Sequence, residues 1–144
     1  MAVDRDPEVR RNLATRTDIM PEILYFLADD MSPDVRREIA ANLSTPRRAD
    51  LDLAKDPDES VRSRLAEKIG GIIPELTPDE AKKLGHLAYE ALAILTRDQV
   101  TVVRQIVAEA LRHVAHVPPE FVNQLARDSE IVVSGPILEN SPVL

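Results

Sequence analysis

Apolar residues recur along this chain at helical spacing, and proline interrupts them at short intervals. Val103, Ile106, Val107, Ala110, Leu111 and Val114 follow the three-and-four spacing of one helix face. Ala81, Leu84, Ala88, Ala91, Leu92 and Leu95 form a second stripe, widened by Leu87 and Ile94. A stripe that broad predicts contact on two sides. Thr77-Pro78-Asp79-Glu80 reads as a capping box ahead of it. No proline falls between 79 and 117, so the two longest helices are expected there, and Gly70-Gly71 is expected to stop the helix before them. Pro7, Pro21, Pro33, Pro46, Pro57, Pro78 and Pro118 all stand where a helix could begin. The best strand candidate, Ile131-Val132-Val133, is too short to compete. The pattern predicts an all-α chain, more than about 65% helical and without a sheet.

The helices belong to an internal repeat. Asp6-Pro7-Glu8-Val9-Arg10, Ser32-Pro33-Asp34-Val35-Arg36, Asp56-Pro57-Asp58-Glu59-Ser60-Val61-Arg62 and Asp98-Gln99-Val100-Thr101-Val102-Val103-Arg104 share one pattern. Asp128-Ser129-Glu130-Ile131-Val132-Val133 is a degenerate fifth copy, with Ser134 in the place of arginine. The shared valines are 26, 26, 42 and 30 residues apart, so an insertion lies between the third and fourth copies. Leu-Ala-x-Asp or a close variant precedes the later copies, as in Leu53-Ala54-Lys55-Asp56. Each unit reads as a short helix, a tight turn and a second helix. In the turn, Asp or Ser can accept a bond from an orphan N–H. Proline suits the first helical position, where its missing N–H costs nothing. Neighbouring acidic residues suit the positive end of the helix dipole.

This Asp-Pro-x-x-Val-Arg turn with its flanking helices resembles HEAT-like repeats and the leucine-rich-variant repeats of bacteria. More narrowly, the chain resembles the bacterial family called domain of unknown function 2336. That likeness is carried by Leu125-Ala126-Arg127-Asp128 and by Pro136-Ile137-Leu138-Glu139-Asn140-Ser141-Pro142-Val143-Leu144. The resemblance implies a right-handed α-α superhelix, a HEAT-like solenoid of about four to five repeats, forming a single domain over residues 1–144. It assigns no activity. In the family, a stretch similar to the last nine residues leads into further sequence. The inserted region at residues 72–76 and Ser134 depart from the repeat pattern.

Composition narrows the functional classes. Hydrophobic residues make up 44% of the chain and aromatics only 3%, which suits closely packed helices with cores of Leu, Ile, Val and Ala. The net charge of -7 is divided almost evenly, -3 over residues 1–72 and -4 over residues 73–144. A nucleic-acid partner needs basic charge gathered on one face, so that class is disfavoured. HEAT-like DNA glycosylases resemble basic clefts lined with aromatics, and Tyr25, Phe26, Tyr89 and Phe121 are too few. The chain has no cysteine, which excludes disulfides, thiolate metal sites and a cysteine nucleophile. The N-terminal residues lack the apolar stretch of a signal peptide, and no run approaches a membrane span. A cytoplasmic protein with no membrane partner is expected.

The candidate side chains form one main set. Arg10, Arg36, Arg62 and Arg104 recur at one position of the unit, with Asp6, Asp30, Asp56, Asp98 and Asp128 as acidic partners. Such a set could capture anionic groups. Its repetition at a fixed place favours an internal structural ladder. His113 and His116 share a predicted helix face with Glu109, but the Glu-x-x-His spacing of a carboxylate-bridged metal site is missing. His86 with Glu90 supplies no second copy, and the His-Glu dipeptides of iron-binding HEAT oxygenases are absent. Gly70-Gly71 is followed by no Lys-Ser or Lys-Thr, so it is no phosphate loop. No catalytic residue, metal ligand or cofactor is therefore assigned. The expected function is a protein-binding scaffold or adaptor without catalysis, using the ridge of successive second helices. The alternatives are a regulatory N-terminal domain of a longer protein and, behind it, a repair module or metal-dependent enzyme. The partner is an unknown protein. Because Ile131-Val132-Val133 and Ile137-Leu138 leave the last repeat without a polar closing face, either downstream sequence or a second copy is expected to cover the C-terminal end.

Overall fold

A computed structural model describes residues 3–72, 85–112 and 119–140. The described residues are all-helical and contain no strand. The helices are α1 (Pro7–Ala14), α2 (Pro21–Leu27), α3 (Pro33–Ala41), α4 (Arg47–Leu53), α5 (Glu59–Ile72), α6 (Gly85–Leu95), α7 (Thr101–Leu111), α8 (Pro119–Ala126) and α9 (Ile131–Asn140). Ile131-Val132-Val133, the strand candidate, is the first turn of α9.

Proline places several of the starts. Pro7, Pro21 and Pro33 occupy the first helical turn, where no intrahelical donor is lost. Pro46 stands one place earlier, as the cap residue of α4. Asp6 caps α1 by accepting the Glu8 amide at 2.9 Å. At α5 the same work falls to Asp58, whose Oδ1 accepts the Ser60 amide at 2.8 Å. The capping box at 77–80 and the start at Pro118 lie outside the described residues.

Gly70-Gly71 does not end α5. The helix runs through both glycines to Ile72, 14 residues from its start at Glu59. A β-carbon built on Gly70 would collide with the Cβ of Ala110 on α7. Glycine is required there because two helices approach closely, a need that local sequence does not reveal.

The odd-numbered helices pack in series: α1 on α3, α3 on α5, α5 on α7 and α7 on α9. Among the even-numbered helices, α4 packs on α6. The repeated valines Val35, Val61, Val103 and Val133 are fully buried, together with Ile39, Leu65, Val107 and the alanines Ala40, Ala66 and Ala108. Leu24, Leu27, Leu53, Leu92, Leu95 and Leu125 bring the even-numbered helices onto the same core. Each such leucine or valine contributes about 2 kcal/mol on burial. Alanine at alternate core places lets the odd helices sit close together.

Candidate functional site

Four arginines and four aspartates cross-link successive units in one repeated geometry. Arg10 Nε donates to Asp30 Oδ2 at 2.8 Å, Arg36 to Asp56 at 2.8 Å, Arg62 to Asp98 at 2.7 Å and Arg104 to Asp128 at 2.7 Å. A second bond from each Nη2 reaches the other carboxylate oxygen, at 3.2 to 3.5 Å. Nη1 donates backwards to the backbone carbonyl six residues before it: Asp4, Asp30, Asp56 and Asp98 at 2.6 to 2.8 Å. Every ladder aspartate also accepts the amide two residues ahead, from Ser32, Asp58, Val100 and Glu130. Each guanidinium thus ties its own turn to the next one, and each carboxylate meets both a guanidinium and an amide.

Asp6 lies outside this ladder, a correction to the sequence register. It is the cap of α1, and the ladder place belongs to Asp4, whose Oδ1 accepts the Asp6 amide at 2.8 Å. Asp-Pro in the first unit aligns with Ser-Pro in the second, so the ladder aspartate stands two residues before the cap. Ser134 fills the arginine place of the last unit and donates to the Glu130 carbonyl at 3.3 Å. Burial of the ion pairs is high, with side-chain exposure of 10 to 15% for the arginines and 6 to 9% for the aspartates. At that depth a bidentate pair with its remaining groups satisfied holds a fixed geometry.

A second polar cluster escaped sequence reasoning. Lys68 Nζ donates to Asp50 Oδ1 at 2.5 Å and to the Asn42 carbonyl at 3.0 Å. Arg47 Nη1 donates to the other Asp50 oxygen at 2.6 Å. The Lys68 and Asp50 side chains are 2% and 0% exposed. Burial, together with the nearby Arg47 charge, holds the Lys68 ammonium below the usual lysine value of 10.5. Asn42 repeats the motif one unit earlier, its Nδ2 donating to the Ala14 and Arg16 carbonyls at 2.8 Å. Asn42 and Lys68 are 26 residues apart, the repeat interval, and each satisfies carbonyls at the C-terminal end of the preceding odd helix. The shared interval was the available signal, but a lone Lys and Asn look like surface residues.

Among the described residues, two grooves and one ridge stand open. A groove of about 880 Å³ lies at the N-terminal end, between the turn before α1 and the α2–α3 connection, with Tyr25, Phe26 and Met31 on its wall. A smaller one of about 300 Å³ lies beside Tyr89 of α6 and Phe121 of α8, whose rings stack at 5.9 Å. The ridge is formed by equivalent places on the odd helices. It is charged on α1 and α3, where Glu8 and Asp34 hold the place before the repeated valine and pair with Arg11 at 3.5 Å and Arg37 at 2.8 Å. It is apolar on α7 and α9, where Val102 and Val132 are about half exposed and Ile131 more so.

Among the described residues, no group of three or more His, Asp or Glu side chains is arranged to hold a metal ion. His113, His116 and the side chain of His86 lie outside the described residues. No described helix is long and apolar enough to cross a membrane. Among the described residues the chain is all-helical, with short helices joined by a buried arginine–aspartate ladder. Comparison with protein-family models, curated proteins and solved structures returns no match for it.

Proposed function

We propose that this chain is a protein-binding scaffold or adaptor, a HEAT-like solenoid that presents its odd helices as one ridge to a protein partner. The observation that carries this reading is the change along the ridge from paired charges on α1 and α3 to half-exposed valines on α7 and α9. An open apolar strip beside a polar one is the composition of a docking surface rather than of a plain solvated face. The ladder supports the same reading, since it rigidifies the scaffold and leaves its guanidinium charge already met by carboxylates. Catalysis has no place in this reading, and neither does a cofactor.

The test is site-specific photo-crosslinking in the native cell extract. A benzoylphenylalanine placed at Val102 or Val132 should trap a discrete protein, and the same probe at exposed Arg48 or Asp52 on α4 should not. Equal trapping from both faces, or none from the ridge, would overturn the ridge reading.

A further inference from the structure

We propose that the turn before α1 and its adjoining groove dock a helical segment of a partner protein carrying an arginine flanked by apolar side chains, and that Asp4 receives this arginine. The inference rests on the scaffold reading but uses a different surface, so the two can fail separately.

Asp4 has the internal wiring of a ladder aspartate. Its Oδ1 accepts the amide two residues on, and its carbonyl accepts the Nη1 of the arginine six residues on. Asp30, Asp56 and Asp98 make the same two bonds. Each of those three also holds a guanidinium from the preceding unit. Asp4 holds none among the described residues, and its side chain is exposed. The turn therefore presents a carboxylate oriented for a bidentate guanidinium, with the guanidinium position open.

The adjoining groove specifies the rest of the ligand. Phe26 is 56% exposed and Met31 88%, and both line it beside Asp4. Glu22 and Asp29 stand on the same groove. Arg10, one of its two basic residues, is already neutralised by Asp30, which leaves Arg5 against three carboxylates. An apolar wall with an acidic rim favours a basic, amphipathic helix. A second copy of this chain is a poor occupant through its last repeat, because Ser134 stands where the donating arginine would be.

The α1 helix shows how such an arginine is delivered, so a stapled, fluorescent peptide of residues 5–16 is a suitable probe. Anisotropy titration with the full chain should give saturable binding. Asp4→Asn in the chain keeps the Oδ1 acceptor for the Asp6 amide and removes the charge, and it should weaken binding at least tenfold. Lysine in place of Arg10 in the peptide should weaken it similarly, because a single ammonium cannot form the two-pronged contact. Phe26→Ser in the chain should also reduce affinity. Absence of saturable binding, or equal affinity for the Asp4→Asn chain, would overturn the proposal. Self-association of the chain that disappears in Asp4→Asn on sedimentation would also overturn it, by making a second copy the occupant.

Discussion

The junction between α3 and α5 and the junction between α5 and α7 join their helices in opposite ways at one end and identically at the other. At the ladder end both use a buried bidentate pair, Arg36–Asp56 and Arg62–Asp98. At the far end, the first junction is polar: Lys68 spans from α5 to the carbonyl of Asn42 and to Asp50. The second is apolar, and there α5 and α7 approach so closely that a methyl on Gly70 would meet Ala110. Ala110 stands 42 residues after Lys68, the interval that separates Val61 from Val103, so it occupies the lysine's place in the repeat. A long donor that caps carbonyls across a gap has been exchanged for a methyl that lets the helices touch. The ladder fixes the order and register of the units, while the far end sets how closely each pair of helices approaches.

The sharpest way to break this comparison is Lys68→Ala. It leaves Asp50 buried with Arg47 alone and removes the donor to the Asn42 carbonyl, and should cost about 4 kcal/mol in urea unfolding. The effect should depend on pH. Because the folded state lowers the Lys68 pKa below 10.5, its stabilising contribution is present above 10.5 and is lost as pH falls through the folded value. The stability difference between wild type and Lys68→Ala should therefore move in favour of wild type as pH rises towards 10.5. A difference that stays flat across that window would show that Lys68 is not perturbed by its burial.

Arg62→Ala tests the end that the two junctions share. It strips the guanidinium from Asp98 and the donor from the Asp56 carbonyl, and should cost on the order of 3 kcal/mol. Arg62→Lys should recover little of that loss, because lysine lacks the planar fork. Thermal melting that barely changes would place these arginines outside the scaffold's stability and reopen their role as anion-binding groups.

Gly70→Ala tests the close contact. Its new methyl collides with Ala110, and the overpacking should cost about 2 kcal/mol even though alanine favours helix more than glycine does. Adding Ala110→Gly should return most of that loss, a coupling that a double-mutant cycle reads directly. The same Gly-to-Ala change at Gly71, which has nothing within 4 Å of its added carbon, should be neutral or stabilising. At the small end of the scale, Arg11→Ala should change stability by less than about 0.5 kcal/mol, since the Arg11–Glu38 pair is solvent-exposed.

Much of this architecture was legible in the residues because the repeat writes the same turn several times. The Val-Arg positions marked the buried valine and the ladder arginine of each unit, and proline marked several helix starts. Asp30, Asp56 and Asp98 were legible as partners, since each stands six residues before an arginine, and Asp128 because it closes the same recurring Leu-Ala-x-Asp run. Asp6 was misplaced because an N-cap and a ladder aspartate look alike in sequence, and only the bonds at Asp4 tell them apart. Neither the Lys68–Asp50 pair nor the passage of α5 through Gly70-Gly71 could be read. Both depend on which residue of another helix stands opposite.

The sequence by itself determined that this protein is helical, that its units repeat, and that one arginine and one aspartate serve each junction. Those properties follow from periodicity, capping and composition, which act within a few residues. Only the tertiary structure decided which carboxylate meets which guanidinium and which lysine is buried. It also decided where two helices come close enough to require a glycine. These choices are made between side chains 18 to 40 residues apart in the chain, such as Asp50 with Lys68 or Gly70 with Ala110. Their energies depend on burial, and burial exists only once the helices have packed.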